Sequence, residues 1–486
     1  MKKAIIIGSG IGGLSSAIRM SVKGHAVDVY EANKSYGGKM RETKKKGFRF
    51  DMGPSLLTMP EKIDELFLLA NKNPRDYFQY KKLDEGCRYF YDDKTIIRGY
   101  TDLDKFASEL HDKAGVAKNI TKNHIKKNTF IFDSTSFLFL EKSLHKLKTY
   151  LSFKVFIAFL KLPFLQLFQS MHSANSSRFK SKKAIQIFNR FATYNGSNPY
   201  KAPAILNSIS ALEFNKGAFY PNLGMFTIAK ALYSLATDLG VKFYFNTIVE
   251  KISVNDGVAE GVFVLNNLHK ADVIICNQDI YFVYKNLLPK KFTIKRVLKQ
   301  ERSSSALIFY WGIKKEFSSL QLHNILFSNN YEEEFKMLSE NKEIYKDPTT
   351  YINITSKMTK NDAPNKCENW FVMINTPYDV GQNWQDLIIN SRKNIIKKIN
   401  KVLDVSIEEY IVCEEILTPK LIESSTQSFG GSLYGSSSNA RGSAFFRHPN
   451  FSTKISNLYF CGGSVHPGGG IPLALSSSKI IGELIS

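Results

Sequence analysis

A chain of 486 residues is long enough for two or three domains and a large buried core. With 43% hydrophobic and 13% aromatic residues it is not a disordered or low-complexity protein. The net charge of +22, from 66 Lys and Arg against 44 Asp and Glu, points to an anionic partner or to a solvated basic surface. The partner classes are a membrane surface, nucleic acid and an acidic substrate. Five scattered cysteines (Cys87, Cys276, Cys367, Cys413, Cys461) without a C-x-x-C fit free thiols in a reducing compartment and give no metal spacing.

Taken in chain order, Ala4 to Ile7 reads as a buried strand. The turn Gly8-Ser9-Gly10-Ile11-Gly12-Gly13 follows, then a helix over Leu14 to Met20 and a second strand from Ala26 to Tyr30 that ends on Glu31. The glycines permit a tight turn and a close approach to a pyrophosphate, which the free N–H groups of the helix start would hold. Glu31 is placed to accept a hydrogen bond from an unphosphorylated ribose. The first strand starts within three residues of Met1, which leaves no room for a cleaved leader. Gly37-Gly38 permits another sharp turn. Lys39 and Arg41 beside it either neutralise the same pyrophosphate or sit in a solvated loop. Gly47 to Pro54 (GFRFDMGP) reads as a short strand ending in a Gly-Pro turn.

Cys87 to Tyr91 and Thr95 to Tyr100 read as a strand pair flanking an Asp92-Asp93 turn. The stretch from Lys113 to Lys183 holds fourteen Lys and Arg against only Asp133 and Glu141. Within it, Leu151 to Met171 is apolar and aromatic, punctuated by Lys154 and Lys161 and broken by Pro163. No charge-free apolar run is long enough for a spanning helix. This pattern suits either a helix pair in the membrane interface, with Phe137 to Leu140 on the same face, or helices lining a greasy pocket. It is too apolar for nucleic acid, and no nucleic-acid-binding motif is present.

A helix is expected over Met225 to Leu239, followed by a strand, a hairpin through Asp256-Gly257, and a buried strand from Ala271 to Cys276. Ser304 to Gly312 and Trp370 to Asn375 read as strands, and 383–403 as a helix whose Arg392, Lys393, Lys397 and Lys398 form a solvated basic surface. His323 reads either as a base or, more simply, as an ordinary structural or surface histidine. Asn457 to Cys461 is a strand leading into Gly462-Gly463-Ser464-Val465-His466-Pro467-Gly468-Gly469-Gly470-Ile471-Pro472 and a helix. This is a second backbone cradle, as a large dinucleotide needs at its far end.

Together, Gly8 to Gly13, Glu31, Gly37-Gly38, Phe50 to Pro54, Phe219-Tyr220-Pro221 and HPGGGIP (His466 to Pro472) resemble the bacterial-type carotenoid desaturases. These are FAD enzymes of the phytoene desaturase and flavin-dependent amine oxidase superfamily, and the resemblance covers essentially the whole length. Ser432 to Asn439 and Ala444 to Pro449 look more like the subgroup of 3,4-desaturases that act on hydroxylated carotenoids such as 1'-hydroxy-γ-carotene.

The resemblance implies an α/β fold: a Rossmann-like FAD-binding domain over 1–70, 220–285 and 425–486. A mixed α+β substrate and membrane-associating domain over 71–219 and 286–424 is inserted in it. It implies FAD contacts at Gly8, Gly10, Ile11, Gly12, Gly13, Glu31, Ala32, Gly38, Lys39, Arg41, Met52, Gly53, Pro54, Val249, Gly462, Gly463, Gly470, Ile471 and Pro472, with no metal. Catalysis would pass a hydride to the flavin, with oxygen or a quinone as final acceptor. Glu213, Arg441 and His448 are the candidate bases or positioning groups. The implied location is cytoplasmic, on the inner face of the cell membrane. Rival readings are a phytoene or diapophytoene desaturase, a carotene isomerase or saturase, an amine oxidase, and a non-redox prenyl-binding protein of the same fold.

Overall fold

The computed structural model describes residues 1–151, 155, 166, 168–440 and 442–485. Most of the 151–171 run, with Lys154, Lys161 and Pro163, lies outside the described residues, as does Arg441.

Five strands form a parallel sheet: β1 (Lys3–Ile7), β2 (Ala26–Tyr30), β3 (Lys242–Tyr244), β4 (Val273–Cys276) and β5 (Leu458–Phe460). Their order is β5-β4-β1-β2-β3, so three distant parts of the chain meet in one sheet. The central strands are continuous apolar runs because both faces are covered. On one face lie three helices: α1 (Ile11–Val22), α2 (Phe226–Asp238) and α3 (Ile471–Leu484). Small residues let α1 and α3 approach closely: the Ser15 and Ser478 hydroxyls are hydrogen-bonded to each other, and Ser476 and Ser477 are buried. The other face packs on a three-stranded meander, Lys251–Asn255, Val258–Val264 and Asn267–Lys270. Its first turn is the expected Asp256-Gly257 pair, both at positive φ as a two-residue hairpin turn requires.

A second, seven-stranded sheet runs Ile411–Leu417, Ser305–Ile313, Glu368–Thr376, Thr350–Ile354, His323–Leu326, Glu85–Phe90, Ile96–Tyr100. All nine residues of Ser305–Ile313 are buried because this sheet too is covered on both sides. One face packs on the helix Trp384–Leu403, through Trp311, Trp370, Ile395 and Ile399. The expected basic surface of that helix needs one correction. Lys398 is buried, with its ammonium bonded to the carbonyls of Phe327 (3.1 Å) and Pro348 (2.7 Å) and paired with Asp347. The Asp92-Asp93 turn joins Glu85–Phe90 to Ile96–Tyr100 as the sequence suggests.

Lys118–Glu141 is a 24-residue helix. Phe132, Thr135, Ser136, Phe139 and Leu140, at helical spacing, line a cavity, while Phe137, Leu138 and Phe139 pack with Leu144 and Val155. Among the described residues no helix is long and apolar enough to cross a membrane.

Candidate functional site

A cavity of about 800 Å³ runs between the carboxyl ends of the parallel strands and one face of the seven-stranded sheet. That is where open α/β sheets place their ligands, and the volume is at the upper end for a small-molecule site. Its first wall is main chain. Gly10, Ile11, Gly12, Gly38, Gly462, Gly463, Gly470, Ile471 and Pro472 all line it, so two glycine loops 450 residues apart in the chain are neighbours. A Cβ added to Gly12 would lie 2.5 Å from the Asn277 side chain and 3.0 Å from the Gly462 nitrogen. One on Gly13 would lie 2.0 Å from the Gly8 carbonyl oxygen. Asn277, at the end of β4, touches the spaces beside Gly10, Gly12 and Gly462 and lines the cavity. The only sequence signal for it was its place at a strand's carboxyl end.

The helix starts around this wall differ. Asp51 accepts hydrogen bonds from the Met225 and Phe226 amides (3.0 and 3.1 Å) and so satisfies the start of α2. The starts of α1 and α3, at Gly10 and Gly470, carry no capping side chain and no acidic residue in the first turn. Two positive helix ends therefore open on the same cavity, an arrangement that accepts an anion.

Glu31 ends β2 and is buried. One oxygen accepts from the Ser9 amide and hydroxyl (2.8 and 2.7 Å), the other from the Asn33 amide and side chain (2.9 and 2.8 Å). Ala32 beside it is exposed, and Val249 is buried against Ile5 and Tyr30. Gly8, Gly13, Glu31, Ala32 and Val249 stand outside the cavity lining, behind or beside the first loop.

Met52, Gly53 and Pro54 line the cavity next to Lys39 and Arg41. Lys39 does not point to the first glycine loop. Its ammonium donates to the carbonyls of Ser432 (2.9 Å) and Leu433 (2.8 Å), and burial brings its pKa down to about 8. Arg41 donates to the Ser425 hydroxyl (2.9 Å), and its buried Nε has no partner among the described residues.

Two of the three candidate bases are corrected. Glu213 is buried behind the wall and held by Arg190 (3.0 Å) and the Tyr194 hydroxyl (2.6 Å). His448 is also buried: one ring nitrogen is 2.9 Å from the Tyr284 hydroxyl and the other 2.7 Å from the Pro449 carbonyl. Burial pushes its pKa down to about 4. Neither lines the cavity, and Arg441 lies outside the described residues. Among the described residues the one carboxylate on the wall is Asp279, which is paired with Arg302.

The second wall is side chain: Ile308, Ile325, Phe371 and Met373 from the seven-stranded sheet, and the Lys118–Glu141 helix face opposite. Sequence reasoning left two of its residues out of the site. Arg190 and His323 both line the cavity, and they come from segments without a motif.

Residues 11–338 match the family described as flavin containing amine oxidoreductase. The chain is 49% identical to a 1-hydroxycarotenoid 3,4-desaturase of Flavobacterium sp. (strain P99-3), over 100% of this chain and 99% of that one. It is 31% identical to a 4,4'-diapolycopene oxygenase of Methylomonas sp., over 100% and 98%. Among solved structures, an oxidoreductase of Methanosarcina mazei shares the fold with a TM-score of 0.65 at 15% identity, covering 99% of this chain and 100% of that one. The chain belongs to the flavin-containing amine oxidoreductase family, among the carotenoid desaturases, and is a flavin-dependent oxidoreductase.

Proposed function

We propose that the protein is an FAD-dependent carotenoid desaturase that introduces a C=C bond at the 3,4 position of a 1-hydroxylated carotenoid such as 1'-hydroxy-γ-carotene. The observation that carries this reading is the single cavity joining two glycine loops to a long apolar wall. The full-length likeness to a 1-hydroxycarotenoid 3,4-desaturase supports the substrate class.

The residues fit FAD. Two uncapped helix starts face one cavity, as a diphosphate requires, and the glycines leave no side chain between it and the main chain. Gly8 to Gly13 would hold the diphosphate, Glu31 and Ala32 the adenosine ribose, and the Val249 backbone the adenine. Gly462, Gly463, Gly470, Ile471 and Pro472 would hold the other end beside Gly38, Arg41 and Met52 to Pro54. Lys39 joins this set by position, its ammonium bonded to main chain. A ribose hydroxyl bound there would compete with the Ser9 hydroxyl for the Glu31 carboxylate. FAD held by these residues would supply the hydride acceptor, with oxygen or a quinone as the acceptor beyond it. The protein's own part is positioning: the apolar wall aligns the polyene, and the closed core behind it excludes water. The division into a cofactor unit (1–70, 220–285, 425–486) and a substrate unit (71–219, 286–424) is part of this proposal.

A polyene dissolves in membranes, so the cavity must open on one. Phe168 and Phe445 line the cavity and are exposed, and Leu147 (85% exposed) and Phe446 lie on the surface near the basic Lys146 and Lys148. An apolar rim with lysines beside it suits the inner face of an anionic bilayer, and supports a cytoplasmic, peripherally bound enzyme.

The test is turnover by the purified flavoprotein of hydroxylated and non-hydroxylated acyclic carotenoids held in liposomes, read by chromatography and mass spectrometry. A product lacking two hydrogens, formed from the hydroxylated substrate, is expected. Product only from phytoene overturns the subgroup. Gain of an oxygen atom assigns the chain instead to the reaction named for its 31% identical relative.

A further inference from the structure

Among the described residues four Lys and Arg side chains line the cavity: Lys39, Arg41, Arg190 and Arg447. Three of them have an acid to answer their charge. Asp279 acts on Lys39 and Glu31 on Arg41, and Arg190 is 3.0 Å from the Glu213 carboxylate. Arg447 differs. Its Nη2 donates to the Ser438 hydroxyl (2.8 Å) and its Nη1 to the Ser436 hydroxyl (3.4 Å), and among the described residues no carboxylate is paired with it. Its Nε has no hydrogen-bond partner among them either. That atom is not sealed into the protein as the Nε atoms of Arg41 and Arg190 are, so it opens on the cavity that the residue lines. Arg447 is 3% exposed, and burial brings its pKa down to about 10, so it is charged at neutral pH. A buried cation without a counter-charge is costly, and the cavity is where a counter-charge can enter.

The place of Arg447 in the fold tells which charge. His448, the next residue, is bridged to Val465, and the His466 amide donates to the His448 carbonyl (2.9 Å), so this segment runs along the second glycine loop. The guanidinium lies against Gly468, where an added Cβ would come 3.0 Å from its carbon and 3.3 Å from Nε. Two residues on, Gly470 opens α3, whose positive end has no capping side chain and no acid in its first turn. Two positive features thus meet at the loop assigned above to the flavin end of FAD. Desaturation breaks one C–H bond by moving a hydride, two electrons and one proton, to the flavin. The neighbouring carbon loses a proton to solvent as the C=C bond forms, so one net negative charge stays at the flavin. An allylic C–H is a weak hydride donor, and the acceptor has to be correspondingly strong. We infer that Arg447 is the counter-charge of the reduced flavin and raises its affinity for electrons. The inference rests on the FAD reading above.

The experiment reads the reduction potential of the bound flavin, which needs no carotenoid. The purified flavoprotein is reduced without oxygen beside a dye of known potential, and its affinity for FAD is measured separately from the fluorescence of released flavin. Arg447→Met is expected to shift the equilibrium about tenfold toward the oxidised flavin, a fall of about 30 mV for a two-electron couple. Arg447→Lys keeps the charge and is expected to stay nearer the wild type. Arg447→Met removes an unpaired charge and refills its volume, so it is expected to fold, and Arg447→Gln is read in its place if it does not. An unchanged potential in the uncharged variant overturns the inference. So does an equal fall in Arg447→Lys, which makes packing the cause. Weaker FAD binding with the wild-type potential in the flavin that stays bound also overturns it, because the cation then serves the diphosphate. Protein that takes up no flavin defeats the cofactor reading and the inference with it. The expected shift without desaturation of any carotenoid removes the proposed reaction and leaves the counter-charge standing.

Discussion

Along the parallel sheet the cavity is walled by main chain; along the seven-stranded sheet it is walled by side chains. Gly10, Gly12, Gly462, Gly463 and Gly470 make the first wall; a Cβ added to Gly10, Gly12 or Gly462 would lie within 2.8 Å of the Asn277 side chain, while Gly470 has open space beside it. Ile308, Phe371, Met373 and Arg190 make the second, which stands on paired groups buried behind it. A main-chain wall reads only features that every dinucleotide shares. Selectivity among substrates has to come from the wall that varies, so the first wall should fail by added atoms and the second by lost partners.

The largest expected effect is on the second wall. Arg190 bonds both oxygens of Glu213 (3.1 and 3.0 Å) and the Tyr89 hydroxyl (2.9 Å), and all three are buried. Arg190→Met strands the Glu213 charge and is expected to cost about 3–5 kcal/mol. The double variant Arg190→Met, Glu213→Leu should recover most of that, measured by urea unfolding. A single variant within experimental error of the wild type would show that the pair does not support this wall.

Behind the first wall, Gly13→Ala puts a Cβ against the Gly8 carbonyl. The cost is expected to be about 3 kcal/mol, with loss of bound flavin, because the loop and helix must move apart. Gly24→Ala is the control, since a Cβ there meets nothing within 4 Å. Its positive φ of 83° should cost about 1 kcal/mol and leave the flavin in place. If Gly13→Ala keeps its flavin, the contrast between the walls collapses.

Acid should undo both walls together. His448 and His466, which pack behind the glycine loops, are held down to about 4 by burial; His323 and His124, on the other side, are held to about 3. Above 6.5 every ring is neutral in the folded and unfolded chain, and the stability is complete. Between 6.5 and 4 the unfolded chain binds protons that the folded one does not, so each ring withdraws about 1.4 kcal/mol per pH unit. His124 sits edge-on to Phe179 and Phe188, and His124→Phe should make the slope shallower by one ring's share. Flavin release and the fluorescence of the buried Trp311 and Trp370 should change at the same pH.

What could be read from the sequence divides along the same line. The glycine loops, Glu31 and the strands around them were legible because main-chain geometry is a local demand, met by residues a few positions apart. Hairpins and buried strands were legible for the same reason. The second wall was not. Glu213 stood out near a motif, but its partner Arg190 is twenty-three residues away and Tyr89 far beyond that. Only the packed fold shows that the carboxylate is already taken. His323 gave no sign of lining the cavity because the strand pairing that places it joins it to residues about thirty positions on. Phe139 and Leu140 showed a greasy helix but not which side faced the cavity.

The smallest expected effect is at the place where the walls are tied. Lys39 leaves the glycine side and bonds the Ser432 and Leu433 carbonyls, and the Leu433 amide in turn bonds the Ser304 carbonyl beside the second sheet. Lys39→Met removes two hydrogen bonds but also a buried charge whose desolvation is costly. Near neutral pH these nearly cancel, and a net change within about 1 kcal/mol is expected. The sign emerges at higher pH. Burial lowers the Lys39 pKa from 10.5 to about 8, so between those values the unfolded chain holds a proton that the folded one has lost. Stability of the wild type should therefore rise over that window relative to Lys39→Met, by about 1.4 kcal/mol per pH unit. Parallel unfolding curves at all pH values would mean that Lys39 keeps its charge, and that the tie between the walls is ionic.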